Sequence, residues 1–335
     1  MTVAVDADLV LEGGGVKGIG LVGAYTTLTQ AGYRIHRIAG TSAGAIVGAL
    51  IAADMPLDLM EKTMKELHYT AFEDESFIDH LGRIGKGASI LFEKGIYEGD
   101  YLRSWLDELL TGLGKTTFGD LKLTDPGGSP LPPEQSYRLV VLASDVSRGR
   151  LVHLPWDYHL YGLDPDSQRV ADAVRASMSI PIFYEPVQFN YKAEDGKKAK
   201  SYLVDGGMLS NFPIEIFDRT DGKPPRWPTF GLKLSARPAN PVEEKFVVHG
   251  ALSLAKAMVG TMMNFHDQMH IDDPAALART MFIDTLGVKA TDFDIDEATQ
   301  DTLYENGRTA ATKFLGAWNF PDYISRFRGQ SAADQ

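Results

Sequence analysis

Cysteine is absent from the 335 residues. Disulfide frameworks, thiol nucleophiles and cysteine-ligated metals are thereby excluded, while the compartment stays open. Positive charge is scarce too: 33 Lys and Arg stand against 45 Asp and Glu, a formal net charge of −12. No basic field is available to neutralise phosphates, so no nucleic-acid partner is expected. Electrostatic adsorption to anionic membranes is disfavoured for the same reason, and membrane contact would have to be hydrophobic or local. An uninterrupted apolar run is also missing. The nearest approach, residues 247–265, is broken by His249, Lys256 and Asn264. Its apolar residues Val248, Leu252, Ala255, Met258, Met262 and Phe265 share one stripe, which predicts an amphipathic helix rather than a span. That helix would pack into the core or form a methionine-lined wall of a lipid pocket. The N-terminus has neither the basic start nor the small-residue cleavage site of a signal peptide, so a cytoplasmic protein is expected.

What is present, 44% apolar and 23% charged residues, is an ordinary globular composition in a chain long enough for a full core. Residues 8–12 read as a buried strand, 19–30 as a helix, 33–39 as a strand and 43–54 as a helix closed by Pro56. This alternation predicts an α/β protein with a central, mostly parallel sheet covered by helices on both faces. Further strands are expected at 137–143, 151–154, 202–204, 230–234 and 281–284, and further helices at 58–68, 98–110, 170–176 and 296–315. Residues 69–97 read either as a cover over a site or as a surface excursion, and the Pro- and Gly-rich 124–133 as a surface loop. One domain over residues 1–328 is expected, with a motif-bearing core at 8–215, a helical part at 242–318 and a disordered tail at 329–335.

Three stretches carry chemistry. In Gly40-Thr41-Ser42-Ala43-Gly44, a β-branched approach strand meets an alanine-rich helix at a serine. A strand-to-helix turn this tight strains its apex, and side chains at the flanking glycines would collide. The hydroxyl then lies beside a helix N-terminus, which favours developing negative charge. The run Gly13-Gly14-Gly15-Val16-Lys17-Gly18 follows the first strand. It fits a dinucleotide fingerprint only superficially, since no acid lies between Glu12 and Asp54 to hold a ribose. A phosphate-binding loop fails as well, because Lys17 precedes Gly18 and no Ser or Thr follows. Unhindered backbone amides able to receive an oxyanion remain. Third, the apolar strand Tyr202-Leu203-Val204 delivers Asp205-Gly206-Gly207, either a functional carboxylate or a capped turn. Asp292, Asp294 and Asp296 alternate like a calcium loop, but Glu297 and Leu303 occupy its glycine and glutamate positions, so helix-start acids explain them better. No metal or cofactor is implied.

In order and in type these motifs resemble the patatin-like phospholipases. Gly13 to Gly18, Gly40 to Gly44 and Asp205 to Gly207 match that family's three motifs. Ala176, Ser177, Ser179, Pro181, Phe183 and Pro186 resemble the stretch before its aspartate, and Asn211 and Pro213 fit beyond it. The resemblance covers residues 8–215 and implies a three-layer α/β/α fold with a Ser–Asp dyad and no catalytic histidine. Ser42 would attack an acyl ester and Asp205 would take its proton. Gly13, Gly14 and Gly15 would form the oxyanion hole, and Lys17 would contact a substrate phosphate or pin the loop. The implied activity is calcium-independent hydrolysis of a phospholipid, lysophospholipid or related lipid ester, with peripheral membrane contact as an option. Eight histidines leave a Ser-His-Asp esterase as the alternative, with a non-catalytic lipid-binding module as another.

Overall fold

The computed structural model describes residues 5–67, 99–124, 135–193, 196–234, 248–250, 253–254, 257–262, 273–290, 292 and 294–328. The expectations for 69–97 and 329–335, nearly all of the 124–133 loop and much of the 247–265 helix fall outside these residues. The chain runs β1 (Val5–Leu11), α1 (Gly18–Gln30), β2 (Tyr33–Thr41), α2 (Ala43–Ala52), α3 (Leu57–Lys65), α4 (Asp100–Gly112), β3 (Leu139–Asp145), β4 (Arg150–Leu154), α5 (Val170–Ser177), β5 (Val187–Lys192), β6 (Lys198–Asp205), β7 (Thr229–Lys233), β8 (Thr280–Phe282), α6 (Glu297–Leu315) and α7 (Phe320–Phe327). Asp296 accepts the Thr299 amide proton at 2.8 Å and so caps α6, as its reading as a helix-start acid requires.

The strands form one mixed sheet in the order β5-β6-β3-β2-β1-β7-β8, with β4 also paired to β3. Five strands, β1, β2, β3, β7 and β8, run parallel, whereas β4, β5 and β6 are antiparallel to their partners. Successive strand residues point to opposite faces. Leu9, Leu11, Ile38, Leu139 and Val141 accordingly enter the larger core, roofed by Leu21, Ile46, Met60, Leu106, Val174 and Leu303 from six helices. Val10, Ala39, Val140 and Leu142 enter a smaller core on the other face, closed by Phe212, Ile214, Phe217 and Ala276 of the short helix Pro274–Leu277. The architecture is the mostly parallel three-layer α/β/α arrangement.

One feature of the register decides where the site lies. Residues 38–41 of β2 pair with residues 139–142 of β3, while Asp205, Val204 and Leu203 of β6 pair with Ala143, Ser144 and Asp145. The β4 ladder spans residues 141–145 of β3 and overlaps both of these pairings. A strand edge holds one partner per rung, so β4 occupies one edge of β3 and β2 and β6 share the other. The two sharing strands run head-on and stop at adjacent rungs, Thr41–Leu142 and Asp205–Ala143.

Helix α1 lies against α6 at backbone distance. A Cβ at Gly23 would come within 2.0 Å of the Tyr304 carbonyl oxygen, and one at Gly307 within 2.0 Å of the Gly20 oxygen. Glycine at 23 and at 307 is what permits this approach. Gly23→Ala gains about 1 kcal/mol of helix propensity, but overpacking a rigid backbone contact costs about 1–3 kcal/mol or more. The substitution is expected to be net destabilising, read as a lower urea midpoint than wild type. A midpoint equal to or above wild type would show that the helices are not in contact there.

Candidate active site

The turn from β2 into α2 places Ser42 at φ 52°, ψ −125°, a left-handed backbone that a side-chain-bearing residue rarely adopts. Neighbouring backbone enforces it. A Cβ at Gly40 would lie 2.3 Å from the Gly44 carbonyl oxygen, and one at Gly44 would lie 2.4 Å from the Leu11 oxygen. Ser177, at the end of α5, holds the turn from outside: its Oγ accepts the Ser42 amide proton at 2.9 Å. The Ser42 hydroxyl donates to Met178 Sδ at 3.3 Å.

Asp205 arrives on the opposing strand and is fully buried. Its amide donates to the Ser179 carbonyl at 2.9 Å, and its Oδ1 accepts the Gly207 amide proton at 2.7 Å. Oδ2 is buried and accepts no hydrogen bond among the described residues. Burial pushes the carboxyl up to about 7, against the opposite pull of the Gly207 amide and the Ser42 hydroxyl. The hydroxyl therefore lies close enough to act on the carboxylate, although its hydrogen-bond geometry favours the methionine sulfur.

The glycine loop closes the third side. Gly13 abuts the serine, since a Cβ there would fall 3.0 Å from Ser42 Cβ. Its amide donates to the Asn211 carbonyl at 3.4 Å, and Asn211 Nδ2 returns a bond to the Gly13 carbonyl at 3.2 Å. Gly15 has φ +55°, and a Cβ on it would overlap the Ala290 carbonyl. Among the described residues the Gly14 and Gly15 amides donate to no backbone or side-chain acceptor. Lys17 Nζ lies 3.5 Å from the Leu234 carbonyl, a contact that ties the loop to the end of β7. Of the six residues singled out from sequence, Ser42, Asp205 and Gly13 converge, Gly14 and Gly15 continue the same loop, and Lys17 anchors it.

Two further charged residues hold this loop and were not legible as a pair. Glu12, the residue before Gly13, accepts from Lys233 Nζ and from the Leu234 amide, and both charged side chains are only 2% exposed. A lysine inside the apolar strand Phe230-Gly231-Leu232-Lys233-Leu234 was the available signal, because a buried lysine requires a partner. Ser177 and Met178 lay within a recognised stretch, but nothing in it said what they touch. Of the four described histidines, His36 packs edge-on to Trp227, His153 bonds Asp157, His159 meets the Trp156 carbonyl, and the His249 amide meets Ser253. None hydrogen-bonds to Ser42 or Asp205. Among the described residues no cluster of three or more metal-ligating side chains occurs, and no helix is long and apolar enough to cross a membrane.

Comparison with known proteins bears on the class. The family model described as patatin-like phospholipase matches residues 9–218, and the chain belongs to that family. It is 35% identical over 313 residues to the uncharacterized protein YqhO of Bacillus subtilis, covering 93% of this chain and 99% of that one. It is 29% identical over 206 residues to lysophospholipase nte1 of Emericella nidulans, covering 62% of this chain but 10% of that relative. The crystal structure of VipD from Legionella pneumophila shares the fold, with a TM-score of 0.51 at 18% identity, covering 93% of this chain and 67% of that one. Family membership supports a lipid hydrolase.

An acid whose folded-state pKa is raised weakens the fold at higher pH. Between the ordinary carboxylate value of 3.8 and about 7 the native state holds a proton that the unfolded chain has released, so stability falls as pH rises through this window. The strain approaches an upper bound of about 4 kcal/mol above pH 7. Asp205→Asn should therefore raise the denaturation midpoint at pH 8, and the gain should shrink as the pH is lowered toward 4. A gain independent of pH would refute the raised carboxyl.

Proposed function

We propose that the protein is a carboxylic ester hydrolase of the phospholipase A or lysophospholipase type, working through a Ser42–Asp205 dyad and a serine acyl-enzyme. The observation that carries this reading is the meeting of the strained Ser42 turn with a buried carboxyl near its hydroxyl, at adjacent rungs of one strand edge. An ordinary aspartate is too weak a base for an alcohol. Burial supplies the remedy by raising Asp205 toward neutrality, where a base is most effective.

In the proposed sequence Ser42 Oγ attacks the ester carbonyl as its proton passes to Asp205 Oδ2. The carbonyl oxygen becomes an oxyanion received by the Gly14 and Gly15 amides beside Gly13. One such donor contributes about 3 kcal/mol of barrier lowering. The proton on Asp205 goes to the departing alcohol oxygen as the ester bond breaks, leaving the acyl group on Ser42. Water, deprotonated by Asp205, then releases the fatty acid and restores the serine. Charge is balanced at every step by the one carboxyl, so neither a metal nor a cofactor is needed. Phospholipid or lysophospholipid is the substrate class the family membership favours, approached by peripheral contact with a lipid surface.

Hydrolysis of a p-nitrophenyl ester should fall roughly a thousand-fold or more in Ser42→Ala and in Asp205→Asn, with each variant still folded. The wild-type kcat/KM should rise with pH along a limb near 7, as Asp205 loses its proton. Turnover equal to wild type in Ser42→Ala would remove this reading.

A further inference from the structure

The Ser42 hydroxyl has two acceptors within reach, and it is the methionine sulfur that it meets in good hydrogen-bond geometry. We infer that Met178 is a positioning residue of the dyad, a resting-state acceptor that holds the Ser42 proton away from Asp205. The inference rests on the proposed Ser42–Asp205 chemistry and adds to it a residue that tunes its working pH.

Ser42 has one hydroxyl proton and lone pairs to accept with. The hydroxyl oxygen lies 3.3 Å from Met178 Sδ in donating geometry, while Asp205 Oδ2 is sealed from solvent without a hydrogen bond of good geometry among the described residues. A buried carboxylate oxygen without a donor is costly, whereas a protonated carboxyl can donate from Oδ2 to a Ser42 lone pair. The thioether contact therefore suits the protonated acid, in which Asp205 Oδ2 would turn to donate to Ser42 while Ser42 donates to the thioether. In the ionised, working state the serine must turn its single proton to Oδ2 and give up the sulfur. Met178 stabilises the first state and contributes nothing to the second, so it holds the dyad protonated to a higher pH than the pocket alone would.

Position and burial agree with this role. Met178 is 4% exposed and directly follows Ser177, whose Oγ fixes the Ser42 amide, so one helix end sets both the backbone and the hydroxyl of the serine. Charged groups on the surrounding elements are engaged elsewhere. Asp145 of β3 accepts from Tyr161 and from the Ser147 and Arg148 amides. Arg175 of α5 donates to Ser179 Oγ and the Glu185 carbonyl, and Glu12 is held by Lys233. The groups acting on Asp205 are burial, the Gly207 amide and the Ser42 hydroxyl, with no charged side chain among them. A change in the serine's hydrogen bonding should thus read out cleanly in the acid's titration.

The test compares pH profiles of kcat/KM for wild type, Met178→Leu and Met178→Gln on a soluble p-nitrophenyl ester, with Ser42→Ala as the control. Leucine keeps the volume and removes the acceptor. Its acid limb should move down by about half a pH unit, a roughly three-fold gain on that limb, with the plateau little changed. Glutamine offers a stronger acceptor, and its limb should move up. A limb unmoved in the folded variants would overturn the inference while leaving the dyad intact. A shift in the same direction for both would overturn it too, as the mark of altered packing. Where one variant fails to fold, the other decides by the sign of its shift. Undiminished activity in Ser42→Ala would instead discard the underlying dyad and be recognised as such.

Discussion

Two strands that end head-on along one edge of β3 set the terms for everything around them. Thr41 and Asp205 occupy adjacent rungs, so the residues leaving those strands are brought together by ladder hydrogen bonds rather than by long flexible side chains. Position fixed in this way by main-chain pairing is rigid, as the proposed reacting pair requires. The same rungs lie inside the sheet, between cores on both faces, where the carboxyl is fully buried. Burial and placement are thus one event. It raises Asp205 toward neutrality, as the proposed base requires, and by the same stroke makes the carboxylate expensive for the fold to keep ionised.

The supporting structure is built to hold three chain segments at that point. Glu12 and Lys233 join the ends of β1 and β7 in a buried ion pair immediately before the glycine run. Leu234, tied to Glu12 through its amide and to Lys17 through its carbonyl, lies against Gly14, where a Cβ would meet the end of the leucine side chain. Breaking such a pair from one side would leave an uncompensated buried charge at the head of the loop. On the far side, the end of α5 supplies Ser177 and Met178 to the serine and, through Ser179, a carbonyl to the Asp205 amide. No element of the site stands on a single attachment.

Much of this was legible beforehand, for reasons that can be traced. The βαβα alternation of the first fifty residues has a strong local pattern, and the structure follows it with boundaries shifted by only a few residues. Gly40 and Gly44 were readable because a turn that brings backbone onto backbone leaves room for nothing else. Long-range pairing was not. That β6 runs antiparallel, sharing an edge with β2, depends on register across more than a hundred residues, and no local periodicity encodes it. The hairpin strand β5 alternates half-buried and exposed residues and blends into the lysine-rich turn beside it. Glu12 and Lys233 lie 221 residues apart, and nothing local to either names the other as its partner. The acceptor of the Ser42 hydroxyl is likewise a property of three-dimensional neighbours.

Asp205 is a buried acid with no charged partner among the described residues, and burial, the Gly207 amide and the Ser42 hydroxyl set its affinity for its proton. Carbon-13 NMR of carboxyl-labelled aspartate, followed through a pH titration of the native protein, measures this directly. The account predicts one aspartate resonance with a midpoint near 7, absent from the spectrum of Asp205→Asn. A resonance for Asp205 titrating at the ordinary carboxylate value, with the fold intact, would contradict it.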